Sequence, residues 1–212
     1  MNIAIIGATG FIGSALLAEA LARGHRVTGL VRHPESLAPH PQLTAQQCDV
    51  YDTARLAPQL KGCDAVLVSL RGQGANDVGD YYMKGFNSIL QAARDAGARR
   101  LLVVGGGGSL EVAPGLQLLD APNFPAEYRG PAEGPREALK VLRNETVLDW
   151  TMLCPGAVIE PGERTGKFRL GTDQLLVNEA GESRISVQDF ALAMIDELEK
   201  PAHSRRRFTV GY

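Results

Sequence analysis

The stretch Ile3-Ala4-Ile5-Ile6-Gly7-Ala8-Thr9-Gly10-Phe11-Ile12-Gly13 decides how the rest of the chain is read. Its first four residues are apolar and rich in β-branched side chains, the pattern of a strand buried on both faces of a parallel sheet. Gly7 stops that run. Beyond it Ile12, Ala15, Leu16, Ala20 and Leu21 fall on one helical face, and Gly24 closes the helix as a C-terminal glycine does. The glycines between strand and helix each meet a physical need. Gly7 lets the chain turn sharply, Gly10 removes a side chain where backbone must approach a pyrophosphate, and Gly13 lets helix pack closely on sheet. The free N–H groups of the helix N-terminus, carried by the segment through Thr9, Phe11 and Ile12, then face the phosphates. The pattern sits in a strand–turn–helix unit of about thirty residues, the context that a dinucleotide site requires.

Working outward, the alternation repeats. Val27 to Val31 reads as a second strand, Leu43 to Cys48 as a weaker third, Thr53 to Leu60 as a short helix with Thr53 as N-cap, and Ala65 to Val68 as a fourth strand. A helix over Asp80 to Ala96 ends at Gly97, and Leu101 to Val104 is a fifth strand. Pro135 to Arg143 reads as a helix with proline in its first turn, Asp149 to Leu153 as a sixth strand, Val187 to Glu199 as a helix capped by Ser186, and Arg207 to Val210 as a closing strand. Strands alternating with helices call for right-handed crossovers. The expected fold is therefore α/β, a doubly wound Rossmann fold with a central parallel sheet, in a single domain over residues 1–212. Two Gly- and Pro-rich stretches, Gly105 to Gly134 and Pro155 to Arg184, break the rhythm. Both follow strands, which puts them at the carboxyl edge where such sheets bind ligands. Residues 155–185 are expected as substrate-side loops, a small C-terminal extension.

Composition narrows the class. Apolar residues make up 44% and charged residues 22%, the balance of a chain with a real core. A net charge of −2 gives no electrostatic footprint for nucleic acid or an anionic membrane. Arg205-Arg206-Arg207, the dense basic cluster, reads as a solvated segment. No run approaches the ~20 apolar residues of a membrane span, and the N-terminus lacks the charged region of a signal peptide. Cys48, Cys63 and Cys154 match no zinc or redox spacing and read as reduced thiols of a cytoplasmic protein, Cys48 and Cys154 being buried. His25, His33, His40 and His203 have no metal-ligand spacing and are taken as surface residues. A monomer or homodimer is expected.

The residue after strand two chooses between cofactors. An acid there accepts from a ribose 2′-hydroxyl, whereas arginine suits a 2′-phosphate. The chain reads Leu30-Val31-Arg32-His33, so NADP(H) is expected over NAD(H), the alternative being a surface cation lying over adenine. Ser69 and Leu70, after strand four, are expected to line the adenosine side. The catalytic side is less explicit. A Tyr-x-x-x-Lys pair, the proton donor of many short-chain reductases, is absent at all five tyrosines. That favours a reaction needing no strong protein acid, such as hydride transfer to a flavin, a quinone or a similar planar acceptor. Gly105 and Gly106 open the run Gly105-Gly106-Gly107-Gly108, which would leave space for a flat ring. Ser109 beside it is a candidate catalytic hydroxyl, or a loop serine bonded to its own backbone. Tyr128 and Phe124 are candidates to cover the substrate, or anchors for their loop.

Several segments carry a resemblance: Gly7 to Gly13, Val103-Val104-Gly105-Gly106-Gly107-Gly108-Ser109-Leu110, Asp120-Ala121-Pro122-Asn123-Phe124-Pro125, Leu148-Asp149-Trp150-Thr151, Pro161-Gly162-Glu163-Arg164-Thr165-Gly166-Lys167 and Ile185-Ser186-Val187-Gln188-Asp189. Along essentially its whole length the chain resembles the NmrA-like atypical short-chain dehydrogenase/reductases, and among them the bacterial NADH–flavin reductase group. The resemblance implies a nicotinamide-dependent reductase with FMN, FAD or a related acceptor as substrate. It puts Asp49 and Val50 against adenine, and Cys154 and Pro155 beside the nicotinamide ribose and carboxamide. Arg32 departs from the NADH in the group's name. NmrA-type relatives bind the dinucleotide without turning it over, so a redox sensor is the alternative. Glu163, Arg164 and Lys167 are either a charged rim for substrate or a solvated hairpin.

Overall fold

The computed structural model describes residues 1–71 and 78–212. In chain order the elements are β1 (Asn2–Ile6), α1 (Phe11–Ala22), β2 (Arg26–Val31), β3 (Leu43–Gln47), α2 (Thr53–Leu60), β4 (Ala65–Val68), α3 (Val78–Asp95) and β5 (Arg100–Val104). There follow β6 (Glu111–Ala113), β7 (Leu116–Gln117), α4 (Ala126–Arg143), β8 (Asp149–Pro155), β9 (Val158–Glu160), β10 (Arg169–Gly171), β11 (Arg184–Ser186), α5 (Val187–Glu199) and β12 (Arg206–Gly211).

One sheet carries the fold, in the order β3-β2-β1-β4-β5-β8-β12-β10. Every pairing in it is parallel except that of the edge strand β10, which runs antiparallel to β12. This is the doubly wound α/β arrangement that the alternation of elements requires. Successive residues of β1 face opposite ways. Ile3 and Ile5 join the core under α1 and α5, while Ala4 and Ile6 join the core under α2, α3 and α4. The chain order reverses between β1 and β4, and the carboxyl ends of the strands at such a reversal are where doubly wound sheets bind ligands. Among the described residues no helix is long and apolar enough to cross a membrane.

Four expectations need correction. The helix expected from Pro135 begins at Ala126 and contains both Pro131 and Pro135. Residues 125–131 are exposed, so carbonyls freed by Pro131 can bond to water, and the proline is tolerated. The N-cap of α2 is Asp52, whose carboxylate accepts from the Arg55 N–H at 3.1 Å, while the Thr53 hydroxyl bonds to Ser88 on α3 at 2.7 Å. Not all four histidines are on the surface. His25 is buried, with Nε2 2.9 Å from Glu199, and His203 stacks on Phe208 at 4.1 Å and bonds to Glu197 at 2.8 Å. Nor is the triple-arginine run solvated throughout, because β12 alternates and turns Arg207 into the interior. The thiols of Cys48 and Cys154 are buried, and burial raises the pKa of both.

Candidate functional site

The turn from β1 into α1 stands at the carboxyl edge, beside the end of β4. Gly7 has φ +82°, and a Cβ there would sit 2.2 Å from the Ser69 carbonyl oxygen. Only glycine relieves both constraints. A Cβ on Gly13 would lie 2.0 Å from the Gly7 carbonyl oxygen, so the helix rests directly on the turn. Gly10 differs. It is exposed, and a Cβ there would meet only the Gly7 oxygen, at 3.3 Å. Its missing side chain leaves the approach to the helix N-terminus open rather than relieving an internal clash. Gly10 is also the N-cap of α1, and no side chain caps the helix. The first-turn N–H groups, from Phe11 through Gly13, have no intrahelical acceptor and carry the positive end of the helix dipole. Thr9 and Phe11 are exposed and Ile12 half-buried at the rim of this opening. The chemistry suits a pyrophosphate: backbone donors, no competing carboxylate in the first turn, and no side chain in the way.

On one flank the structure brings together Val50, Leu70 and Tyr51. All three converge on Gly85 of α3, whose absent Cβ would touch each of them at 3.3–3.4 Å. Ser69, at the end of β4, donates its N–H to Ile6 and so fixes Leu70 beside the glycine turn. The Asp49 carboxylate is engaged locally, accepting from the Tyr51 N–H at 2.9 Å. Tyr51 meets Tyr81 edge-on at 5.7 Å, and the Lys84 ammonium lies 5.7 Å from its ring. Burial, Tyr81 and Asp49 push the Tyr51 phenol upward, while the nearby Arg32 cation opposes them. Arg32 is thus an exposed cation within electrostatic reach of the Asp49–Tyr51 corner. Tyr51 has no counterpart among the sequence candidates. Half-buried, with its hydroxyl 3.4 Å from the Tyr81 carbonyl, it is not signalled by any motif, only by its place two residues beyond Asp49.

On the other flank lie Gly105, Gly106, Ser109, Cys154 and Pro155, at the ends of β5 and β8. Three of the four glycines do not open room for a ring, and only at Gly106 would a Cβ meet no more than an ordinary contact, with Pro135 at 3.4 Å. A Cβ on Gly105 would be 2.6 Å from the Cys154 sulfur, on Gly107 2.8 Å from the Gly156 carbonyl oxygen, and on Gly108 3.0 Å from Ala132. Close packing of the turn against β8 and α4 is what demands glycine here. The Ser109 hydroxyl points inward: it is 1% exposed and donates to the Gly106 carbonyl at 3.1 Å, the backbone-bonded alternative. Tyr128 stands on the first turn of α4 and is 59% exposed, so it does not anchor its loop. Phe124 is half-buried beneath the Arg129 guanidinium, 5.9 Å from its ring. Arg164 leaves the expected rim altogether and pairs with Glu19 of α1 at 2.8 Å, which makes it a strut. A further residue, Arg207, reaches this flank from β12 and donates to the Ser109 carbonyl at 2.8 Å. The only hint of it in the sequence was a cation at the start of an apolar strand.

Comparison with known proteins places these features in context. The profile of a family described as NAD(P)H-binding matches residues 7–198. Uncharacterized protein YwnB of Bacillus subtilis is 39% identical over 213 residues, spanning 99% of this chain and 98% of that one. Among solved structures, a Bacteroides thetaiotaomicron protein provisionally named an epimerase superposes with a TM-score of 0.94 at 42% identity, covering 100% of this chain and 96% of the other. A Streptococcus pneumoniae protein provisionally named an NADH-flavin reductase superposes with a TM-score of 0.88 at 34% identity, covering 100% and 99%.

Proposed function

Because the chain belongs to the NAD(P)H-binding family, we propose that it is an NAD(P)H-dependent reductase that delivers hydride to a flavin, a quinone or a similar planar acceptor, with NADP(H) as the preferred dinucleotide. The observation that carries the choice of acceptor is the inward-turned Ser109 hydroxyl in a chain without a Tyr-x-x-x-Lys pair. Among the described residues the Ser109 hydroxyl at this turn is bonded to backbone, and the Cys154 thiol beside it and the Tyr82 phenol near that thiol are buried with their pKa values pushed up, so a carbonyl substrate would lack a ready proton as hydride arrives. A flavin or quinone accepts hydride without such a donor and takes its proton from solvent. The same absence weighs against an epimerase reading of this chain, since epimerisation through a transient ketone requires a base at the alcohol.

When bound, the dinucleotide supplies the hydride. The chain's own part is binding and alignment. The first-turn N–H groups of α1, left uncapped at Gly10, would hold the pyrophosphate. Val50 and Leu70, packed beside Gly85, would give adenine an apolar seat, and the exposed Arg32 would meet a 2′-phosphate. Backbone at Gly105, Gly106, Cys154 and Pro155 presents polar groups to the carboxamide side. Exposed Tyr128 covers the acceptor from α4. The same lack of an acid favours a second reading, a sensor that binds the dinucleotide without turnover.

One experiment separates the two readings. Purified protein is mixed with NADPH and FMN, FAD or a quinone, and the nicotinamide absorbance is followed beside a direct binding measurement. Turnover is expected, and Gly10→Val should abolish dinucleotide binding while leaving a folded protein. Binding without turnover on any acceptor selects the sensor. Unchanged affinity in Gly10→Val removes the turn from the site.

A further inference from the structure

We infer that Arg207 is a positioning residue for hydride transfer, holding the glycine-rich turn at the nicotinamide end of the site from beneath. The inference rests on the reductase reading and adds a residue on the last strand, which no motif of that reading touches. Arg207 is 8% exposed. Its Nη1 donates to the Ser109 carbonyl at 2.8 Å and contacts the Ser109 hydroxyl at 3.2 Å. Its Nη2 pairs with the Asp173 carboxylate. Asp173 is held in turn, its carbonyl accepting from the Glu111 N–H at 2.8 Å and its carboxylate lying 3.6 Å from Arg143 of α4. Ser109 completes the assembly with a 3.9 Å contact to the Cys154 sulfur, and Gly105 donates its N–H to Leu153 at 2.8 Å. One guanidinium therefore ties β12 to the turn after β5, while the turn itself is bonded to β8.

Two physical arguments make this more than a structural tie. Packing against β8 and α4 confines this turn on two sides, but four consecutive glycines leave its backbone the widest conformational freedom that a chain can have, and a directional bond to the Ser109 carbonyl fixes its end. Hydride transfer is sensitive to placement, and a shift of about 1 Å at a reacting centre costs on the order of 100-fold in rate. Moreover, Arg207 is an expensive way to fasten a core. A buried charge pays a desolvation penalty, apolar side chains of similar volume often do as well, and the Arg207 Nε has no hydrogen-bond partner among the described residues. What apolar packing cannot supply is a directional, two-pronged grip on a backbone carbonyl and a carboxylate at once.

The test compares Arg207→Met, Arg207→Lys and Arg100→Met. Arg100, whose guanidinium is as buried as that of Arg207, pairs with the buried Glu197 at 2.7 Å, at the opposite end of the strand that leads into the turn, and serves as the stability control. For each variant NADPH affinity, melting temperature, and kcat with a saturating acceptor are measured. Arg207→Met is expected to lower kcat roughly 10-fold or more with NADPH affinity within about two-fold, because β8, β5 and β4 separate β12 from the phosphate cradle at β1. Arg207→Lys, with one prong, should recover part of the loss. Arg100→Met should lose stability but keep kcat. The assignment is overturned if Arg207→Met keeps its kcat, or if Arg100→Met loses as much. Should Arg207→Met fail to fold, Arg207→Lys carries the comparison on the same criteria. A wild-type protein that binds NADPH and reduces nothing overturns the reductase reading itself. Turnover in the wild type with unchanged kcat in the Arg207 variants overturns only the role of Arg207.

Discussion

At the scale of single residues, the glycines of this chain fall into two kinds that look alike in sequence. Gly7 and Gly13 are required by contacts of 2.2 and 2.0 Å inside the turn, whereas Gly10 keeps an exposed approach clear. Gly105, Gly107 and Gly108 belong with the first kind, set by packing against Cys154, Gly156 and Ala132. The expectation of a space there was wrong, because sequence shows that a side chain is missing but not what occupies its place. Arg32 is the residue on which cofactor choice turns. Arg32→Ala should weaken NADPH binding by roughly 10- to 100-fold, the scale of a charge-assisted hydrogen bond, and change NADH binding by less than about two-fold. Parallel titrations monitored by nicotinamide fluorescence measure both. Equal losses would assign Arg32 to adenine rather than to the 2′-phosphate.

At the scale of elements, helix ends decide more than helix interiors. The N-terminus of α1 is left uncapped, which frees its donors for a ligand. The N-terminus of α5 is closed. The Ser186 hydroxyl accepts from the Asp189 N–H at 3.0 Å and donates to the Glu163 carbonyl at 2.8 Å, joining the helix to the 161–168 segment. Ser186→Ala should cost about 1–2 kcal/mol, read as a fall in melting temperature of roughly 2–8 °C for a chain of this size. A fall below about 1 °C would mean that neither bond contributes. The Ser186 cap was legible because capping residues are defined by immediate neighbours. The start of α4 was not, since Pro135 read as the opening proline of the helix, and the turns before it, exposed around Pro131, read as part of a Gly- and Pro-rich loop.

At the scale of the whole molecule, distant segments are fastened by charge. Glu19, 7% exposed on α1, receives Arg164 from the 161–168 segment at 2.8 Å and Arg23 at 2.7 Å. The bond from Arg164 is the largest influence, and with Arg23 it outweighs burial to hold the Glu19 carboxyl down at about 2, from an ordinary 4.5. The folded carboxyl binds its proton less readily than the unfolded one, so its stabilisation is fully present above pH 4.5 and is lost as pH falls toward 2. Allowing for the half-exposed Arg164, it amounts to on the order of 2 kcal/mol. Denaturant unfolding between pH 6 and pH 2.5 should show that loss in the wild type and a shallower one in Glu19→Gln; identical slopes would remove the pair from the acid response. The sequence by itself determined the alternation of elements, the strand–turn–helix at Gly7–Gly13, the cation at position 32 and the lack of a Tyr-x-x-x-Lys pair. Each of these is a relation between residues close enough along the chain for periodicity, capping or steric freedom to fix it. Only the tertiary structure decided the order of the strands, the inward turn of Ser109, the burial of His25, and the partners of Arg164 and Arg207. Ser109 and Arg207 are separated by 98 residues and Glu19 and Arg164 by 145. Which buried charge meets which partner across such distances depends on how the sheet is stacked, and no local pattern records that.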